Sequence, residues 1–244
     1  MGLFDFLGGG SPAEKAQRLK AKVTQKYGDA VNRQKAIDAL GEMGTPEAVA
    51  VLLHRFTFNV DPGTTDADEK DIVFNQVVSV GKDAVPPIRE FLKRQDLASS
   101  WMLKLLDAIL PANEALDAVC DELDKMGGSY TRDPGKKVVM LNYLEGKQSP
   151  RIADIALKVM DDMVDDVKLA ALKVLAPLKH EPAREPMLKL LTDEETGKRV
   201  QTAALNAISD SAFTVQGYRE KVEARLPDGW FVDKSGSVKK RGDA

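Results

Sequence analysis

Six times along the chain an apolar pair spaced three apart recurs near the end of an amphipathic stretch: Ile37/Leu40, Val77/Val80, Leu106/Ile109, Leu141/Leu144, Leu172/Leu175 and Leu205/Ile208. Successive first members stand 40, 29, 35, 31 and 33 residues apart, the range in which two-helix units stack on one another. A unit of that size cannot bury its own apolar face, so each folds by packing on its neighbours. The repeat implies an all-α solenoid with one continuous core. Function in such a scaffold rests on a few surface side chains, which periodicity does not reveal.

Composition agrees with a folded scaffold. The chain is 43% hydrophobic and 30% charged, enough apolar material to bury and unlike a disordered sequence. Only 6% is aromatic, and Ala, Val and Leu dominate the periodic segments, which suits helices packed closely in layers. With 35 basic against 38 acidic residues and a net charge of −3, the chain lacks the overall basic stripe of a general nucleic-acid binder. The single cysteine, Cys120, excludes an intramolecular disulfide framework, and Leu116, Val119 and Leu123 around it predict a buried, inert thiol. No apolar run approaches the ~20 residues that cross a bilayer, and no secretory signal opens the sequence. These features predict a cytoplasmic protein without stable membrane association.

Local signals place the elements. Ser11 before Pro12 predicts a leading helix over residues 12–27, with Ala16, Leu19, Val23 and Tyr27 as its apolar stripe. In the first full repeat a helix over 29–43 ends at Gly44, Thr45 caps the next helix and Pro46 takes its first position, that helix running to Phe56. Residues 57–67 form an acidic insertion that explains the 40-residue step. Helices follow over 66–80, 83–94, 97–110, 113–126, 134–144, 150–160, 165–178, 182–191, 194–208 and 215–226. Beyond Pro227 the helical period stops, and residues 230–240 read as a short hairpin turning at Lys234–Gly236, with a charged tail behind. The domain reading is an apolar N-terminal segment and glycine linker over 1–11, a solenoid of about six helix pairs over 12–226, and a hairpin and tail over 227–244.

The stretch Gln34-Lys35-Ala36-Ile37-Asp38-Ala39-Leu40-Gly41-Glu42-Met43-Gly44-Thr45-Pro46-Glu47-Ala48-Val49 resembles a HEAT repeat, and Lys168-Leu169-Ala170-Ala171-Leu172-Lys173-Val174-Leu175 is similar in weaker form. Residues 56–82 also resemble stretches of bacterial HEAT proteins. The third and fourth repeats depart from the pattern by lacking the usual glycine turn after their first helix. The resemblance implies antiparallel helix pairs in a right-handed α-α superhelix, with each second helix on the concave side. It implies protein binding by an adaptor or scaffold. A minority of relatives bind nucleic acid, act as DNA glycosylases or handle bilin chromophores, and these are the alternative readings.

Two features are candidate contact sites for a protein partner. Arg55, Arg89, Lys93 and Arg94 on the second helices of the first two repeats form a polar row, which with Trp101 would also serve the nucleic-acid reading. Leu3, Phe4, Phe6 and Leu7 make an apolar anchor on a glycine tether. The segment carries no basic residue, and Phe6 stands where a myristoylation signal needs Ser or Thr. Asp161, Asp162, Asp165 and Asp166, and likewise Asp61, Asp66, Asp68, Glu69 and Asp71, lack the ligand spacing and glycine of a calcium loop, and read as solvated caps without metal. His54 and His180 have no nucleophile or ligand partner at a meaningful spacing, and no phosphate loop or nucleophile elbow is present. A non-catalytic protein without a cofactor is the expectation.

Overall fold

A computed structural model of the chain describes residues 10–128, 130–131 and 133–242. It divides into two compact units, Met1–Ala118 and Val119–Ala244, with the division inside a helix. Unit 1 holds α1 (Pro12–Val23), α2 (Ala30–Met43), α3 (Pro46–Leu52), α4 (Gly63–Val80), α5 (Val85–Arg94), α6 (Ser99–Ile109) and the start of α7 (Ala112–Met126). Unit 2 continues with α8 (Gly135–Leu144), α9 (Pro150–Val159), α10 (Asp165–Leu175), α11 (Arg184–Thr192), α12 (Lys198–Asp210), α13 (Arg219–Glu223) and the hairpin β1 (Trp230–Val232) and β2 (Val238–Lys240).

The helices form where the sequence supplies caps. Ser11 accepts a hydrogen bond from the Glu14 N–H while the Glu14 carboxylate accepts one from the Ser11 N–H, a reciprocal capping box with Pro12 behind it. Gly44 adopts φ 58°, the left-handed stop after α2, and the Thr45 hydroxyl accepts from the Ala48 N–H to open α3. Within each unit the helices alternate between two layers. In unit 1, α2, α4 and α6 pack in sequence on one side while α1, α3 and α5 pack on the other; in unit 2, α8, α10 and α12 form one layer and α11 and α13 adjoin in the second. The recurring apolar pairs lie between these layers: Ile37, Leu40, Val77, Leu106, Leu141, Leu144, Leu172, Leu175, Leu205 and Ile208 are buried. Val80 and Ile109, each the last residue of its helix, are half-buried. Cys120 is buried as predicted.

Several element limits differ from the sequence reading, each for a visible reason. Helix α1 stops at Val23: the Thr24 N–H makes the last bond of the α pattern, to the Lys20 carbonyl, the Gln25 N–H turns to the Lys22 carbonyl, and Arg33 draws in the Gln25 and Gly28 carbonyls. Tyr27 therefore leaves the apolar stripe and is 93% exposed. The irregular part of the insertion shrinks to residues 58–62, since α4 begins at Gly63. Helix α12 starts at Lys198 rather than Glu194, because the Asp193 carboxylate binds the Glu195 N–H and the Thr196 hydroxyl in a turn. Helix α13 is only five residues long. The chain before it is pinned to the hairpin turn by the Thr214–Ser237 bridge and by the Val215 N–H donating to the Gly236 carbonyl. The hairpin pairs Trp230 with Lys240 and Val232 with Val238, turning where the sequence places it.

Two glycines should respond oppositely to alanine. At Gly44 an added methyl meets open space, so Gly44→Ala pays only for its left-handed backbone, about 1–2 kcal/mol of lost stability. At Gly63, also open and outside the left-handed region, Gly63→Ala should stabilise by about 0.4–1 kcal/mol through the unfolded chain. Thermal or urea unfolding of the two variants measures both signs.

Candidate functional site

The polar row predicted on α3 and α5 comes apart in the structure. The chain tightens from α-helix to 3-10 helix over Leu53–Thr57. Arg55 follows the buried Ala48, Val51 and Leu52 by seven, four and three residues, so it falls on the inward face, where it is 0% exposed. Its Nε donates to Glu69 at 2.7 Å, one terminal nitrogen to Asp66 at 2.7 Å and the other to the Phe58 carbonyl at 3.1 Å. Arg33 on α2 holds the same Glu69 through two nitrogens at 2.7 and 2.8 Å. Lys70 completes the cluster, donating to Asp66 and Asn59 at 2.6 Å each. Arg55 is thus unavailable to any partner, protein or nucleic acid. On α5, Arg89 is half-buried, Lys93 is exposed, and Arg94 is exposed but paired with Glu90 one turn back. Trp101 does not stand out as a free aromatic: it stacks on Phe56 with centroids 4.7 Å apart, and Lys104 covers it at 4.7 Å.

The same cluster corrects the reading of Asp66 and Glu69 as solvated caps, whereas Asp61, Asp68 and Asp71 are exposed. Burial by itself would raise the Asp66 and Glu69 carboxyls. For Asp66, hydrogen bonds from Lys70, Arg55 and the Val60 N–H outweigh it; for Glu69, hydrogen bonds from Arg33 and Arg55 do so, and both groups titrate below their ordinary values. Three cations and two carboxylates share one site, so both carboxylates are held by cations of the chain itself. Asp162, in the second acidic group, is likewise buried, bound to the fully buried Lys137 Nζ at 2.5 Å and to the Val164 N–H at 2.9 Å. Among the described residues no group of His, Cys, Asp and Glu could hold a metal ion. His54 packs edge-on against Phe91, and burial followed by the charge of Lys20 lowers its pKa. His180 meets Asp154 at 3.3 Å, a partner 26 residues away that local spacing could not show. Leu3, Phe4, Phe6 and Leu7 lie outside the described residues.

A concavity that sequence reasoning did not find lies in unit 2. Helices α9 and α11, the second members of successive pairs, do not pack closely on each other. Between them and α13 opens a groove of about 880 Å³. Leu157 and Met160 from α9 and its end, and Pro186 and Leu190 from α11, give it apolar walls, while Lys168, Lys189, Lys221 and Tyr218 stand around it. Lys189 is engaged by Glu185 at 3.0 Å, and the Tyr218 hydroxyl reaches the same carboxylate at 3.4 Å. Asp193 is occupied by its own turn. Its hydrogen bonds leave the Asp193 charge in place, so with Lys189 balanced by Glu185 the groove sets Lys168 and Lys221 against Asp161 and Asp193, without net charge. Met163, 78% exposed, follows Asp161 in the α9–α10 turn. On the other layer, a second groove of about 650 Å³ is lined by Leu169, Leu172, Ala176, Ala203 and Ala207, with Glu145, Lys173 and Asp210. There Lys173 is already paired with Glu145 at 2.8 Å, leaving the negative charge of Asp210.

The family comparison agrees with paired helices in the α2–α3 part of the chain. Residues 33–56, which span most of α2 and all of α3, match the PBS lyase HEAT-like repeat family. Human deoxyhypusine hydroxylase, solved in complex with glycerol, is similar at 14% identity over 88% of this chain and 96% of that one, with a TM-score of 0.31. A chain from a computational design of self-assembling cyclic homooligomers is similar at 16% identity over 88% and 76%, with a TM-score of 0.14. Neither structural likeness is close enough to bear on function. None of the curated proteins matches the chain.

The Glu69 cluster makes a pH prediction. Carboxylates whose folded pKa is depressed stabilise fully above the unfolded carboxylate range, about 4, and that contribution disappears as pH falls through their folded values. Unfolding followed from pH 7 to pH 2 should therefore show unit 1 weakening below about pH 4. Glu69→Gln should cost about 3–5 kcal/mol at pH 7, because buried Arg33 loses its carboxylate and buried Arg55 keeps only Asp66, and should weaken the acid dependence.

Proposed function

Taking the chain as a HEAT-repeat protein, we propose that it is a non-catalytic protein-binding scaffold whose contact surface is the groove between α9, α11 and α13. The carrying observation is the composition of that groove: apolar walls from Leu157, Met160, Pro186 and Leu190, with Lys168, Lys189 and Lys221 set among Asp161 and Asp193 around them. Such a site takes an extended segment of a partner, its apolar side chains against the walls and its carboxylates toward Lys168 and Lys221. Affinity would come from a few buried apolar anchors, with the lysines steering approach and setting specificity.

The absence of a helix long and apolar enough to cross a membrane among the described residues and the buried thiol of Cys120 are compatible with work in the cytoplasm. With Arg55 locked in its ion pairs, the nucleic-acid alternative loses one of its four cations. Arg89, Lys93 and Arg94 remain as a secondary contact row on α5.

A photo-crosslinking residue at Leu190 tests the proposal in cells. It should give discrete protein adducts, whereas the same residue at Asn206, exposed on the opposite layer, should give none. Adducts at 206 and not at 190 would contradict it.

A further inference from the structure

Residues 237–242, six in a row through β2, all line one cavity of about 630 Å³. Successive side chains of a strand point to opposite faces, so a cavity that touches all six runs along the strand's edge and not over one face. Ser209, Ala212 and Phe213, from the end of α12 and the turn after it, form the opposite wall. The edge is the one away from β1. The Asp233 N–H bonds the Ser237 carbonyl and the Arg241 N–H bonds the Gly229 carbonyl, so residues 237, 239 and 241 direct their backbone groups to β1, while residues 238 and 240 direct theirs to the cavity. No third strand pairs with β2 among the described residues. The chain itself takes that position at a single residue, where Thr214 bridges Ser237, because Ala212 at φ 58° turns the residues before it back into α12. The Ser209 hydroxyl donates to the Val238 carbonyl at 3.3 Å, and the N–H and carbonyl of Lys240 beyond it face the open slot.

We propose that this slot takes an extended acidic segment of a partner protein, which adds to β2 as a third strand. The site is separate from the α9–α11–α13 groove, and neither depends on the other. Charge identifies the occupant. Lys239, Lys240 and Arg241 line the slot, and no carboxylate does. Asp233 balances Lys239 at 3.1 Å, which leaves Lys240 and Arg241. Asp210 lines the groove of about 650 Å³ instead, and Asp228 lines neither. Two β2 edges do not pair with each other, since that would set like charges opposite one another. An acidic strand meets the opposite condition. Its backbone bonds Lys240, its carboxylates meet Lys240 on one face of the strand and Arg241 on the other, and its apolar side chains reach Val238 and the exposed ring of Phe231.

Fluorescence anisotropy of a labelled peptide, Glu-Val-Glu-Glu-Val-Glu, titrated with the full chain up to about 1 mM, tests this over the range of weak peptide contacts. The peptide carries carboxylates on both faces of an extended strand, and saturable binding is expected. The same peptide N-methylated at every residue keeps its charge but has no N–H to donate, and should bind about tenfold or more weakly. Lys240→Glu/Arg241→Glu, altered only in exposed side chains, should lose about tenfold or more with unchanged circular dichroism. Leu190→Ala, in the α9–α11–α13 groove, should bind as the unmodified chain does. Amide hydrogen exchange at Lys240 should slow about tenfold with saturating peptide, because the added strand covers that N–H. No saturable binding, equal binding of the N-methylated peptide, or unchanged exchange at Lys240 would overturn the proposal. So would a preference for an oligothymidylate of about twelve nucleotides that is lost in Lys240→Glu/Arg241→Glu, which would give the slot to nucleic acid. Peptide binding lost in Leu190→Ala and kept in Lys240→Glu/Arg241→Glu would also overturn it, and would move the peptide to the other groove.

Discussion

Everything in this chain depends on burying small apolar side chains between two layers of helices. A pair of helices some thirty residues long encloses too little apolar surface to stand alone, so Leu40, Val77, Leu106, Leu141, Leu172 and Ile208 are buried only because the next pair covers them. That requirement sets the spacing of the apolar pairs and the preference for Ala and Val over aromatics. It also dictates a turn at the end of each first helix. Where the turn must be abrupt, the sequence supplies Gly44, Thr45 and Pro46, and the backbone and side-chain hydrogen bonds follow.

The insertion after α3 shows a different solution in unit 1. An irregular loop has unpaired backbone groups and few apolar contacts, and here charge ties it down. Glu69 joins Arg33 of α2 to Arg55, while Asp66 takes Arg55, Lys70 and the Val60 N–H. Such an ion cluster adds little net stability compared with an apolar core, but breaking it is costly because the remaining charges stay buried. It acts as a latch between loop and helices, and it occupies carboxylates that a metal would otherwise require.

The chain was legible where the relevant physics is local. The capping box at Ser11, the stop at Gly44, the cap at Thr45 and the hairpin around Lys234–Gly236 all depend on residues within four positions of one another, and the structure has each of them. Arg55 was misplaced although helical period sets it on the inward face with Ala48, Val51 and Leu52; its charge argued for the surface, and the partners that let it be buried, Asp66 and Glu69, stand eleven and fourteen residues away. Asp162 and Lys137, 25 residues apart, were hidden for the same reason. The groove was invisible in principle, since it is a gap: it exists because α9 and α11 stand apart while α10 and α12 pack together. Exposed Lys93 and Arg94 could be found by helical period alone, but period gives exposure and not concavity.

The central claim is that the α9–α11–α13 groove is where this protein holds another polypeptide. Methyl NMR of protein labelled at methionine, titrated with a pool of random hexapeptides each carrying two aromatic residues and one carboxylate, tests it most directly, because Met160 lines the groove and Met163 sits in the adjoining turn, while Met43 and Met102 lie in unit 1. The account predicts saturable shifts at Met160 and Met163 with Met43 and Met102 unmoved. Shifts confined to Met43 or Met102, or no shift at Met160 and Met163 at saturating peptide, would contradict it.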